Sequence, residues 1–136
     1  MDDELDIDAL LGAEGIPSVQ RIELYIATKR GDNEKPIENH EYWVTLARTI
    51  LAKIGGGSTA IRDTLGAWFD ERKNDLVRED TTLVYTYMKA EKFIEYVGEL
   101  RDFLHRFGRE NAQGEVMVAF VDGAHVCRIT KYDDPK

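Results

Sequence analysis

The apolar residues of this chain switch between a period of two and a period of 3.6, and the order of the switches constrains the fold more than any other feature. From Gln20 to Lys29, Ile22, Leu24 and Ile26 alternate with Glu23, Tyr25 and Ala27, the pattern of a half-buried strand. After the polar turn Arg30–Lys35 and Pro36, Asn39 stands where a helix cap would. Trp43, Leu46, Ala47, Ile50, Leu51 and Ile54 then recur at helical spacing. Gly55, Gly56 and Gly57 stop that helix. Ser58–Phe69 and Leu76–Met88 read as two strands paired in a long hairpin across the charged loop Asp70–Asp75, with Gly66 at a bulge or a close backbone approach.

From Lys89 the period returns to helical, with Phe93, Val97, Leu100, Leu104 and Phe107 on one stripe. Glu115–Ile129 reads as a further strand, divided by Asp122-Gly123, a dipeptide favoured in two-residue hairpin turns. The expected order is β-α-β-β-α-β with an extra C-terminal strand. That is an α+β, ferredoxin-like domain in which two helices cover one face of an antiparallel sheet. The other face, bearing Tyr and Val side chains, has no further helix to cover it, so a homodimer or a ligand is expected there.

Composition sets the limits on this reading. A chain of 136 residues with 43% apolar content can build one core without metal or disulfide support. The expected organisation is an acidic flexible tail over 1–18, one domain over 19–132 and a flexible end over 133–136. Cys127 is the only cysteine, no secretory signal pattern opens the chain, and no apolar run reaches the roughly 20 residues of a membrane span. A cytoplasmic setting without membrane contact follows as an expectation. The net charge of −8 is mostly local: residues 1–14 hold six acids and no base, leaving 20 acids against 18 bases in the rest. A body so nearly neutral has no basic face for phosphates, which argues against nucleic-acid binding.

The string GGGSTAIRDTLGAWFDERKNDLVRED resembles a segment of a small uncharacterised bacterial domain family of ferredoxin-like fold. In that family a Gly-rich turn after the first helix precedes a G-x-W strand, a polar loop and an L-V-x-E strand. Gly66, Trp68, Leu76, Val77 and Glu79 occupy the matching positions, and the likeness runs from Arg21 to Val118. The resemblance implies the fold and no known activity.

Several residues are candidates for chemistry or recognition. The glycine run before Ser58 and Thr59 lacks the lysine and the following helix of a phosphate-binding loop, so it terminates a helix. His125 and Cys127, two apart on a strand, share a face but have no second pair of ligands, and no metal or other cofactor is expected. Glu79 and Arg62 on facing strands could form a base with its anion clamp or an ordinary cross-strand ion pair. Trp68 is either core or an anchor on the open sheet face. The tail residues Leu5, Ile7, Leu10 and Leu11 alternate with acids, as in segments that order on a partner. The run Ile7–Leu11 also resembles the terminal peptide by which flagellar switch proteins bind a response regulator.

Two functional readings follow. The first is a non-enzymatic protein-interaction or regulatory module, docking another protein through the acidic tail (Leu5, Ile7, Leu10, Leu11) and through Trp68, Arg72 and Lys73. The second is a small-ligand-binding or enzymatic α+β-barrel domain with Arg62, Glu79 and His125 at the mouth of a pocket.

Overall fold

The computed structural model describes residues 5–128 and 131–135, with the backbone alone for 17–19 and 124–128. It is a mixed α+β architecture: α1 (Ile7–Leu11), β1 (Glu14–Ala27), α2 (His40–Gly55), β2 (Thr59–Thr64), β3 (Ala67–Asp70), β4 (Asp75–Arg78), β5 (Thr81–Tyr87), α3 (Ala90–Glu110) and β6 (Val118–Arg128). Four strands form an antiparallel sheet in the order β2-β5-β1-β6, and β3 pairs with β4 in a separate two-stranded ribbon. Helices α2 and α3 pack on one face of the sheet. Among the described residues, no helix is long and apolar enough to cross a membrane.

The alternation of β1 explains this layering. Ile22, Leu24 and Ile26 are fully buried and meet Val84 of β5, Trp43, Ala47, Ile50, Leu51 and Ile54 of α2, and Leu100, Phe103 and Phe107 of α3. The Trp43 indole stands edge-on to Phe107 at 5.4 Å between ring centroids and donates to Asn39 Oδ1 at 3.1 Å. Asn39 therefore serves Trp43 with the side chain that the sequence assigns to capping. On α3 the buried stripe includes Phe103 and leaves Val97 42% exposed, so the helix is rotated from the expected stripe to fit against α2. Gly56 ends α2 in the left-handed conformation at φ 90°. Gly55 lies so close to Thr86 and the Tyr87 carbonyl that a β-carbon there would collide with both.

Three expectations are corrected. The long hairpin is split: Asp63, at φ 58°, is the extra residue of a bulge between Ile61 and Thr64, and beyond it the chain leaves the main sheet to form the β3-β4 ribbon. Asp122-Gly123 does not reverse the chain. The last strand continues through it as a bulge against β1, because the 14-residue β1 offers a partner along the whole of β6. The simple two-helix pattern is exceeded by α1, which Asp6 caps by accepting from the Ala9 amide at 3.1 Å and Gly12 closes at φ 63°. β1 begins at Glu14, inside the stretch read as tail and linker, and Glu14, Gly15 and Ile16 pair with Arg128, Cys127 and Val126.

Candidate functional site

The bend that carries β3 out of the sheet also creates a cleft. It has a volume of about 610 Å³ and lies where the end of β1, the β2-β3 bend and the α3-β6 connection converge. Tyr25, Ala27 and Thr81 line it from the sheet face that the helices leave open; Thr64–Trp68 and Glu79 line it from the bend; Phe107, Gln113, Gly114, Glu115 and Met117 close the far side. The bend is pinned by the Glu79 amide donating to the Gly66 carbonyl at 2.8 Å, and the α3-β6 side by the Tyr25 amide donating to the Met117 carbonyl at 3.3 Å. Ala112 takes a left-handed turn at φ 52° that brings Gln113 round to the cleft. A second, apolar groove of about 450 Å³ between α3 and β6 gathers only Arg101 and His105 as charged or titratable groups.

Beside the cleft, on the same open sheet face, β1 presents Arg21, Glu23 and Tyr25 in alternation. Glu23 is only 7% exposed although no helix lies over it. Arg21 pairs with one of its carboxylate oxygens at 2.6 Å, and the Tyr25 hydroxyl donates to the other at 3.0 Å. The Arg21 guanidinium lies 5.1 Å over the Tyr85 ring, which meets Tyr87 edge-on. Tyr87 and then Glu23 strengthen the hold of Arg21 on its proton. Burial, with Glu23 as hydrogen-bond partner and nearby negative charge, raises the Tyr25 phenol above its ordinary pKa.

The structure brings together two of the residues singled out from sequence. Trp68 and Glu79 both line the cleft, and Trp68, at 48% exposed, is not part of the core. Arg62 does not join them: it forms a bidentate pair with Glu41 of α2, its Nη2 donating to Oε2 at 2.9 Å. The side chain of His125 lies outside the described residues. Arg72 and Lys73 are exposed at the ribbon tip, where Asp70 Oδ1 accepts from both of their amides. Leu5, Ile7, Leu10 and Leu11 are exposed on and beside α1. Tyr25, Gln113 and Glu115 were not foreseen. The one available signal was a charged and aromatic face, Arg21-Glu23-Tyr25, opposite three aliphatic residues on a central strand. Among the described residues, no group of three or more His, Cys, Asp or Glu side chains could hold a metal ion.

No family model and no curated protein matches this chain. Two solved structures share its fold, both of a phage SAM lyase. The complex with S-methyl-5'-thioadenosine is 13% identical, with a TM-score of 0.50, covering 85% of this chain and 93% of that one. The apo structure is 12% identical, with the same TM-score, covering 86% and 94%. At such identities the likeness is one of fold. It overturns the reading of the chain as a purely regulatory, non-enzymatic interaction module, because the framework is one on which an enzyme is built from end to end.

Proposed function

We propose that this chain binds and transforms a small molecule in the cleft at the β2-β3 bend, and that the molecule belongs to the adenosyl thioether or adenosyl sulfonium class. The observation that carries the proposal is the cleft itself, with Trp68, Tyr25 and Glu79 on its walls, set in a fold shared with a SAM lyase over most of both chains. About 610 Å³ is a usual size for a small-ligand site. A half-exposed indole beside a tyrosine offers a purine ring a stacking surface, and the carboxylates of Glu79 and Glu115 offer acceptors to ribose hydroxyls or an amino group. The β-α-β-β-α-β order, with the ribbon as an insertion, supports a ferredoxin-like description of the framework. A cytoplasmic setting belongs to the same proposal.

A lyase step on a sulfonium breaks a carbon–sulfur bond and leaves its electron pair on sulfur, which becomes a neutral thioether. If the step is an elimination, a proton leaves the neighbouring carbon, and Glu79 is the group we assign to receive it. The test is to titrate the full chain with S-adenosylmethionine and S-methyl-5'-thioadenosine, following Trp68 fluorescence, and to look for release of the thioether by chromatography. Saturable binding, with thioether release abolished in Glu79→Gln, is the expected result. A flat titration with both compounds and no turnover would sink the proposal.

A further inference from the structure

The side-chain hydrogen-bond donors around the cleft are largely committed elsewhere. Tyr25 donates its hydroxyl proton to Glu23 at 3.0 Å, and Glu23, paired with Arg21 at 2.6 Å, is a carboxylate that can only accept. The Tyr25 oxygen is left with lone pairs. Gln113 Nε2 donates to the carbonyls of Lys29 at 2.9 Å and Asn111 at 3.0 Å, two partners that accept only, so its remaining polar atom is the amide oxygen. Thr64 directs its hydroxyl to the Ile61 carbonyl at 3.3 Å. Among the described residues, Glu79 and Glu115 have no ion pair or hydrogen bond to their side chains, and no Lys, Arg or His lines the cleft. Among the described lining residues, only the Trp68 indole N–H and the Thr81 hydroxyl remain as uncommitted side-chain donors.

We infer that the cleft is polarised to accept: it selects ligands that are cationic or rich in N–H and O–H donors, and it rejects anions, phosphorylated nucleosides included. The inference deepens the proposed function by assigning the charge of the ligand, and for adenosyl compounds it rests on that reading. An anionic ligand would lie beside two unpaired carboxylates with no cation in the lining to offset them, whereas a sulfonium or ammonium meets them favourably. Arg21 and Glu23 act through Tyr25 as positioning residues, by holding its proton away from the cleft.

The test uses the full chain and Trp68 fluorescence with two ligand sets. The adenosyl set is S-adenosylmethionine, S-methyl-5'-thioadenosine and adenosine 5'-monophosphate; the scaffold-free set is benzyltrimethylammonium and phenyl phosphate. The expected order is sulfonium, then thioether, then monophosphate, with the aromatic cation bound about tenfold or more tighter than the aromatic anion. In Glu79→Gln/Glu115→Gln that gap should shrink to about threefold, and Tyr25→Phe should weaken the thioether about fivefold at a temperature where the variant, less stable by its lost hydrogen bond to Glu23, is still fully folded. Equal binding of phenyl phosphate, no saturable binding of the aromatic cation, or a gap untouched by the double variant would overturn the inference. If the aromatic cation is preferred but no adenosyl compound binds, the adenosyl reading fails and the polarity stands; if adenosyl compounds bind with the monophosphate among the tightest, the reverse holds.

Discussion

The Glu79 amide donates to the Gly66 carbonyl over 2.8 Å, and a β-carbon at position 66 would stand 2.6 Å from the Glu79 carbonyl oxygen. The two arms touch here through backbone alone, at the point where they leave the main sheet and where the wall of the cleft begins. Gly66→Ala must push them apart. The expected outcome is a loss of about 1–3 kcal/mol in urea unfolding together with weaker ligand binding at the cleft. Unchanged values for both would mean that the bend adapts and does not set the shape of the site.

The two tryptophans should separate stability from binding. Trp43 is 1% exposed at the centre of the core, and Trp68 is 48% exposed on the cleft wall. Trp43→Ala should cost about 3–5 kcal/mol, the usual range for truncating a buried aromatic. Trp68→Ala should leave the unfolding midpoint within about 0.5 kcal/mol of the parent, as surface changes do, while abolishing the fluorescence response and weakening binding. Calorimetric titration of the Trp68→Ala protein checks the second half without relying on the lost fluorophore.

Tyr25 should ionise late. Burial, then its hydrogen bond to Glu23 and that carboxylate's charge, raise its phenol in the folded state, with Arg21 partly opposing. A folded pKa above the unfolded value means that this contribution to stability is complete below about pH 10, the ordinary tyrosine value, and is lost as pH rises through the folded pKa. Absorbance titration of the phenols should show a late component that disappears in Tyr25→Phe and moves toward the ordinary value in Glu23→Gln. A parent titration with no late component would show that Glu23 does not hold the Tyr25 proton.

Arg62 should be irrelevant to the cleft. Its guanidinium is bidentate to Glu41 in an exposed pair and holds the Glu41 carboxyl below its ordinary pKa, chiefly through the hydrogen bond. A lowered folded pKa contributes stability above the unfolded value and loses it as pH falls through the folded one, so Arg62→Gln should slightly flatten the acid limb of the stability curve. Ligand affinity at neutral pH should not change. A clear loss of affinity would place Arg62 in the site after all.

Much of the framework was legible because burial imposes a period. Ile22, Leu24 and Ile26 could serve a core only from one side of a strand, and Trp43, Ala47, Ile50, Leu51 and Ile54 only from one side of a helix; all eight are buried. The exceptions arose where two segments compete for a partner. Asp122-Gly123 is a good turn in isolation, yet its two flanks both find hydrogen bonds along β1, and a bulge costs less than leaving the far half of β1 unpaired. Asp63 lies inside a run that alternates well enough to continue, and the bulge that removes the ribbon from the sheet is set by contacts from across the fold.

The candidate site shows the same division more sharply. The linear order of side chains determined two helices, the strands that cross the core, the glycine that must stand at residue 66 and the accumulation of acids before residue 15, because each follows from local geometry or from counting. It also made Trp68 and Glu79 visible as unusual. Only the tertiary structure decided that these two share a cleft with Tyr25, Gln113 and Glu115, residues up to 90 positions apart, and that Arg62 belongs with Glu41. The polarity of the cleft was decided there as well. Whether a hydroxyl or an amide offers a proton or a lone pair to a ligand depends on what its other side is already bonded to, and those partners, Glu23, Ile61, Lys29 and Asn111, are chosen by the packing of the chain.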